Sequence, residues 1–433
     1  MLKLAALVAV TAASAASAAS AASAASAATS VSSASSTWPT TAPNSIEMPS
    51  ITQTTSLDPN VECQAYTAPE FPLLYDSKSF PQPWVTASVG TNTSAEFQAV
   101  YNAIDWSKAP NIPVRKLLSS GALNFTGYDQ DEDPDCWWSA STCDKPKIPG
   151  IPADITACPE PETWGLTYDD GPNCSHNAFY DYLQEKKLKA TMFYIGSNVM
   201  DWPYGAVRGL NDGHHIAVHT WSHQPMTTLT NEELVAEFYY TKKVIKYTTG
   251  VTPLYWRPPL GDVDDRVRWV GMQLNLSAIL WNEDTIDWNA QPSGSLPQSV
   301  VEGLYESYIE MGTNGTFAHS GNIVLTHEID NTTMSFALDY LPKITAAYKH
   351  VTDVATCMNI THPYVENYVH STFDSLTTTN TTVNAAASGN ASAIASASAT
   401  GSGTSSSSTS GASTTYTTSL LSVALVAVVS MLI

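Results

Sequence analysis

At 433 residues the chain has room for two or three domains. Both ends are poor in core-forming residues, which leaves about 300 residues to fold, enough for one large core and a smaller appendage. A formal net charge of −21 argues against nucleic acid or an anionic membrane surface as a partner and favours an uncharged or cationic substrate, although a solvated acidic surface accounts for the charge equally well.

Residues 1–18 combine a charged start, Met1-Leu2-Lys3, with a short apolar run and read as a secretory signal peptide. Residues 19–57 are rich in Ala, Ser and Thr with almost no charge, a stretch expected to be disordered and O-glycosylated. In a secreted chain, six widely spread cysteines suggest three disulfides rather than a metal cluster. Among the pairings open to them, Cys136 with Cys143 would close a local loop and Cys158 with Cys357 would tie the start of the main domain to its end. Nine Asn-x-Ser/Thr sequons, at Asn92, Asn124, Asn173, Asn275, Asn314, Asn331, Asn359, Asn380 and Asn390, suggest a glycoprotein.

Residues 58–150 hold many prolines and aromatics but weak periodicity. They read as a small accessory region packed on the main domain, with one helix over Asn92–Ile104 and loops from Asp129 to Cys143. Its tryptophans would either stack on sugar or anchor a loop to a core. From residue 151 to 370 strands and helices alternate. Strands are expected at Trp164–Tyr168, Ala190–Ile195, His215–His219, Leu254–Trp256, Ala278–Trp281 and Ile323–Thr326. Helices are expected at Ser175–Leu188, Thr230–Tyr247, Asp264–Gln273, Ser299–Met311 and Met334–Tyr348. Thr230 and Glu233 form a capping box ahead of the second helix. The pattern implies an α/β fold, a (β/α) barrel of parallel strands with the active site at the strand C-terminal ends.

Residues 371–419 are again Ser/Thr-rich and read as a stalk, and Leu420–Ile433 is a terminal apolar run. That run is too short for a comfortable membrane span and fits a GPI-anchor signal. A short tail anchor and a plain hydrophobic end are the other readings.

Five strand ends carry chemistry. Trp164-Gly165-Leu166-Thr167-Tyr168 delivers Asp169 and Asp170 before Gly171-Pro172 stops the strand, and neighbouring carboxylates are costly unless a cation or a proton-transfer role accounts for them. His219 and His223 follow the third strand, and their spacing puts both on one face of a helical turn. With Asp170 they form a two-His, one-carboxylate metal set with open positions. Arg257 precedes two prolines and can grip a carboxylate bidentately. Asp287 follows a later strand, and His327 the last strong one, so that a His–Asp pair can form. This is equipment for metal-assisted hydrolysis of an acyl compound: a cation, Asp169 as a free carboxylate to take a proton from water, and His327 to protonate the leaving group. Neither a Gly-x-Ser-x-Gly elbow nor a nucleophilic cysteine is needed.

Thr-Tyr-Asp-Asp-Gly-Pro, His-Thr-Trp-Ser-His, Arg-Pro-Pro-Leu-Gly, Asp-Thr-Ile-Asp-Trp and Leu-Thr-His-Glu resemble the five ordered motifs of the NodB-homology polysaccharide deacetylases, carbohydrate esterase family four. The resemblance covers about residues 158 to 360, and it is strongest to the secreted, GPI-anchored fungal chitin deacetylases. It implies a distorted barrel; Asp169 as general base oriented by Arg257; His327 as general acid tuned by Asp287; and Asp170, His219 and His223 on zinc or cobalt. It also implies Trp288, Pro259, Leu260, Gly261 and Leu325 against the substrate, with a backbone N–H after Pro259 helping to hold the oxyanion. Leu260 stands where the family often has tyrosine. The implied partners are chitin or chitin oligosaccharides, with acetate as product, no nucleic acid, membrane contact only through the anchor, and a monomer. Peptidoglycan or acetylxylan deacetylation and a non-catalytic wall-binding role are the alternatives.

Overall fold

A computed structural model describes residues 61, 63–87, 91–174 and 177–376. The expected signal peptide, the low-complexity stretch, the stalk beyond residue 376 and the terminal apolar run lie outside the described residues.

The frame is a sheet of eight strands: β1 (Thr163–Gly171), β2 (Thr191–Tyr194), β3 (His215–Val218), β4 (Tyr255–Trp256), β5 (Ser277–Ala278), β6 (Glu283–Asp284), β7 (Asn322–Leu325) and β8 (His350–Thr352). The order is β5-β4-β3-β2-β1-β7-β6, with β8 beside the start of β1, and every pair is parallel. The two end strands are joined only by residues 279–282, a tether that reaches at most about 17 Å when extended, so the ends must curl towards each other. The result is an incomplete, distorted (β/α) barrel. β1 is buried along almost its whole length, as expected of a parallel strand covered on both faces.

Of the expected strand Ala278–Trp281 only Ala278 is in a strand, at the end of β5, and β6 begins beyond it. Arg257 explains the break: its Nε donates to Ile279 O (3.3 Å) and its Nη2 to Leu280 O (2.9 Å), so the carbonyls a continuing strand would offer a neighbour go to a guanidinium. The helix Asn231–Thr249 opens on the expected capping box of Thr230 and Glu233. Two short helices, Gly196–Asp201 and Pro203–Asn211, have no counterpart in the sequence reading; Pro203 restarts the chain after Trp202.

The region before residue 150 lies against the barrel. Its helix, Ala95–Asn102, is capped by Ser94 and packs Phe97 between Tyr239 and Tyr240. Trp137 is an anchor, not a sugar platform: it is fully buried, with Nε1 donating to Asp262 Oδ1 at 2.7 Å. Three disulfides join Cys63–Cys174, Cys136–Cys143 and Cys158–Cys357, so the local loop and the tie across the main domain both form. Such bonds belong to an oxidising, extracellular setting. Asn92 is only 3% exposed, which leaves no room for a glycan at that sequon.

Candidate active site

The chemistry gathers where β1, β3, β4, β6 and β7 end. Asp170, the last side chain of β1 before Gly171, points one carboxylate oxygen at two imidazoles. Its Oδ1 lies 3.3 Å from His219 Nε2 and 3.1 Å from His223 Nε2. The two rings sit 5.1 Å apart, centre to centre. The helical turn expected from their spacing is not formed. A bend brings them together instead, with Thr220 (φ 65°) and His223 (φ 56°) in the left-handed region.

These three residues fit a metal ion. His219 Nδ1 lies 2.8 Å from the carbonyl of Arg257, so the proton sits on Nδ1 and Nε2 turns a lone pair inward. Asp170 Oδ1 is buried with no hydrogen-bond donor of its own. Burial pushes the Asp170 pKa up, but His223 and His219 outweigh it and hold the carboxyl well below its usual range, so it stays ionised. Their ligand atoms all lie within 4.8 Å of one another. An anionic oxygen and two imidazole nitrogens around one point make a donor set for zinc or a similar first-row ion.

Glu237 holds the histidine bend in place, and sequence reasoning missed it. This buried carboxylate, on the helix Asn231–Thr249, accepts Trp221 N–H (2.8 Å), Ser222 N–H (2.8 Å) and Ser222 O–H (2.7 Å). It also accepts Ala87 N–H (2.9 Å), so the accessory region and the metal loop share one clamp. Its signal was a lone charge inside the apolar run Leu234-Val235-Ala236-Glu237-Phe238.

Asp169 is nearly inaccessible and sits beside the metal set, its Oδ2 3.7 Å from His219 Nε2. Arg257 Nη1 donates to Asp169 Oδ1 at 2.7 Å and to Thr167 Oγ1 at 2.8 Å. The grip is therefore single, not bidentate, because the other guanidinium donors hold Ile279 and Leu280. The guanidinium also lies over the Phe193 ring at 4.1 Å, so its position is fixed on every side.

On the far side of Asp169, His327 Nδ1 meets Asp287 Oδ1 at 2.6 Å, while Asp287 Oδ2 accepts the backbone N–H of His327 at 2.9 Å. Burial disfavours the imidazolium, but the Asp287 carboxylate wins and lifts the pKa of His327 to about 9. At neutral pH this histidine is a proton donor. A parallel bridge between Asp169 and His327 sets the two groups side by side.

All of these residues face a cavity of about 290 Å³ or support one that does. Leu260, Trp288 and Leu325 line it as expected. Pro259 and Gly261 do not: both are buried, and a Cβ on Gly261 would stand 2.8 Å from Trp138. Trp281, Asp284 and Ile329 also line the wall and were not singled out from the sequence. A larger hollow of about 550 Å³ lies beside Glu302, Asp339 and Lys343 and contains no histidine, so size does not mark the site. Five non-glycine residues around the cavity adopt positive φ, namely Asp170, Thr220, His223, Leu260 and Ile286. Each costs on the order of 1–3 kcal/mol, strain that collects where chemistry dictates geometry.

The polysaccharide deacetylase family model matches residues 156–279, a span that carries the first three motifs. The chitin deacetylase of Amylomyces rouxii is 64% identical over 327 residues, 75% of this chain and 77% of that protein. Chitin deacetylase 2 of Cryptococcus neoformans var. grubii is 47% identical over 317 residues, 72% and 69% of the two chains. Among solved structures, the chitin deacetylase of Colletotrichum lindemuthianum aligns with a TM-score of 0.45 at 23% identity, covering 50% of this chain and 96% of that one. The chain belongs to the polysaccharide deacetylase family and is a deacetylating hydrolase.

Proposed function

We propose that the protein hydrolyses the N-acetyl groups of N-acetylglucosamine units in chitin, releasing acetate and leaving chitosan. The observation that carries this reading is the convergence of Asp169, Asp170, His219, His223, Arg257, Asp287 and His327 on one cavity. The 64% identity to a protein named chitin deacetylase supports the choice of polymer.

Asp170, His219 and His223 would hold zinc, with cobalt as a substitute, and the bound ion would supply a Lewis acid for the acetyl carbonyl and for water. Asp169 takes a proton from the water whose oxygen attacks the carbonyl carbon, and the hydrogen bond from Arg257 keeps that carboxylate aimed. The first amide after Pro259, that of Leu260, is the candidate donor to the developing oxyanion. His327 then gives its proton to the amide nitrogen, the C–N bond breaks, and acetate and a free amine part. Asp287 holds the imidazole through Oδ1 and the backbone of His327 through Oδ2, and favours the charged form. Leu260, Trp281, Trp288 and Leu325 form an apolar rim that restricts water.

The protein acts outside the cell, secreted, glycosylated and held by a GPI anchor at the plasma membrane or wall, on the sequence features at its two ends. Acetate release measured side by side from chitin oligomers, peptidoglycan and acetylxylan tests the substrate. The chitin oligomers are expected to be fastest; faster release from either other polymer overturns the assignment.

A further inference from the structure

Of the tryptophans among the described residues, two are exposed: Trp288 (38%) on the cavity wall and Trp84 (49%) in the accessory region. Trp84 is not a loose surface residue. Its backbone is left-handed (φ 64°), an uncommon conformation for a bulky side chain. Its indole N–H donates to Asp201 Oδ2 at 3.0 Å and its backbone N–H to Ser197 Oγ at 2.8 Å. The polar edge of the ring is thus tied down while half of its surface stays in solvent, the reverse of the buried Trp137.

The partners of Trp84 place it by the catalytic centre. Ser197 and Asp201 lie on the short helix Gly196–Asp201 that follows β2. Ser197 Oγ donates to Trp221 O at 2.6 Å, inside the bend between the two metal-ligand histidines. Asn198 Nδ2 donates to Asp170 O at 2.7 Å, and Asp201 stands about 4.5 Å further along that helix at 1.5 Å per residue. Trp288 follows β6. In the sheet order β2 lies next to β1 on one side, while β6 lies on the other side beyond β7, and β1 carries Asp169 and Asp170. The two exposed indoles therefore stand at segments that follow strands on opposite sides of β1.

We propose that Trp84 is an outer subsite for the polysaccharide, stacking on a pyranose ring of the same chain whose reacting unit lies at Asp169 and Asp170 and whose other side leans on Trp288. A β-linked sugar offers an apolar C–H face, and a fixed indole with its polar edge already bonded is a flat partner for it. This rests on the polymer reading above. It gives the accessory region a share in substrate binding that the deacetylase motifs do not contain.

The test compares Trp84→Ala and Trp84→Phe with the unaltered protein on the N-acetylglucosamine dimer and hexamer. Substitution by alanine keeps the backbone N–H bond to Ser197. It should lower the hexamer-to-dimer ratio of kcat/KM about tenfold, with phenylalanine retaining most of it. An unchanged ratio in Trp84→Ala, or equal losses on both oligomers, overturns the subsite. If alanine prevents folding, Trp84→Tyr and Trp84→Leu decide: a flat ring should keep the ratio and leucine should lose it, and equal ratios overturn the proposal. Absence of activity of the unaltered protein on both oligomers overturns the chitin reading instead, a result distinct from any effect confined to Trp84.

Discussion

Replacing Asp287 with Asn should move the pH profile of the reaction by an amount that the geometry sets. Burial alone would drive the His327 imidazole down; the carboxylate 2.6 Å away outweighs it and holds the pKa at about 9. A hydrogen bond to a charged partner is worth about 1.5–3 kcal/mol. At about 1.36 kcal/mol per pH unit, its loss lowers His327 by about one to two units. Asn keeps an oxygen that can accept from Nδ1–H, so the ring stays oriented; what goes is the charge. In the proposed mechanism His327 has to be protonated to release the amine, so the alkaline limb of kcat should track its titration. The positive charge of a bound metal lowers this limb in both proteins alike, so the difference between them is the quantity to measure. The assay is acetate release at saturating chitin oligomer from acidic to strongly alkaline pH. Asp287→Asn should bring the alkaline limb down by one to two units and leave the acid limb in place. An alkaline limb that does not move, in a variant that still turns over, refutes the role given to the pair.

Asp169→Asn should cut turnover by about two to four orders of magnitude while calorimetry still finds a bound zinc ion, and retained turnover would falsify its role as base. Glu237→Gln keeps one acceptor oxygen and turns an NH2 either towards the N–H groups of Trp221 and Ser222 or towards that of Ala87, so zinc affinity in a chelator competition should fall about ten- to hundredfold; unchanged affinity removes Glu237 from the support of the metal. Burial lowers both His214 and His215 to about 3, below the ordinary 6.5 that each regains on unfolding. The unfolded chain then binds more protons between those values. Stability to urea should therefore be intact above about pH 6.5 and decline as pH falls, by up to about 3 kcal/mol per histidine at pH 4. A flat profile across that window would show that these rings are not neutral in the native protein.

The strand ends were legible because each motif combines a periodic apolar run with an abrupt polar stop, and a parallel sheet turns that local signal into a shared location. The short elements were not. β6 is two residues paired only with β7, and β5, the strand before it in the chain, stops where Arg257 takes the next carbonyls, a contact between residues more than twenty apart. The spacing of His219 and His223 suited a helix, yet left-handed residues did the same work in a bend. Leu260 was recognisable as a wall residue, whereas the buried roles of Pro259 and Gly261 depend on Trp138, far away in sequence. Cys136–Cys143 was readable from proximity; Cys63–Cys174 joins two loops that only the fold brings together.

That last bond bears on where the catalytic unit begins. The match to the family model starts at residue 156, and a truncation there would look natural on paper. It would strip Cys63 from Cys174, five residues past Asp169, and Ala87 from Glu237 under the histidine bend. It would also strip Trp137 from Asp262, leaving carboxylates that the fold buries short of their donors. The physical boundary of the enzyme therefore lies before Cys63, and a shortened protein made for crystals or for industrial use should keep everything from there onward.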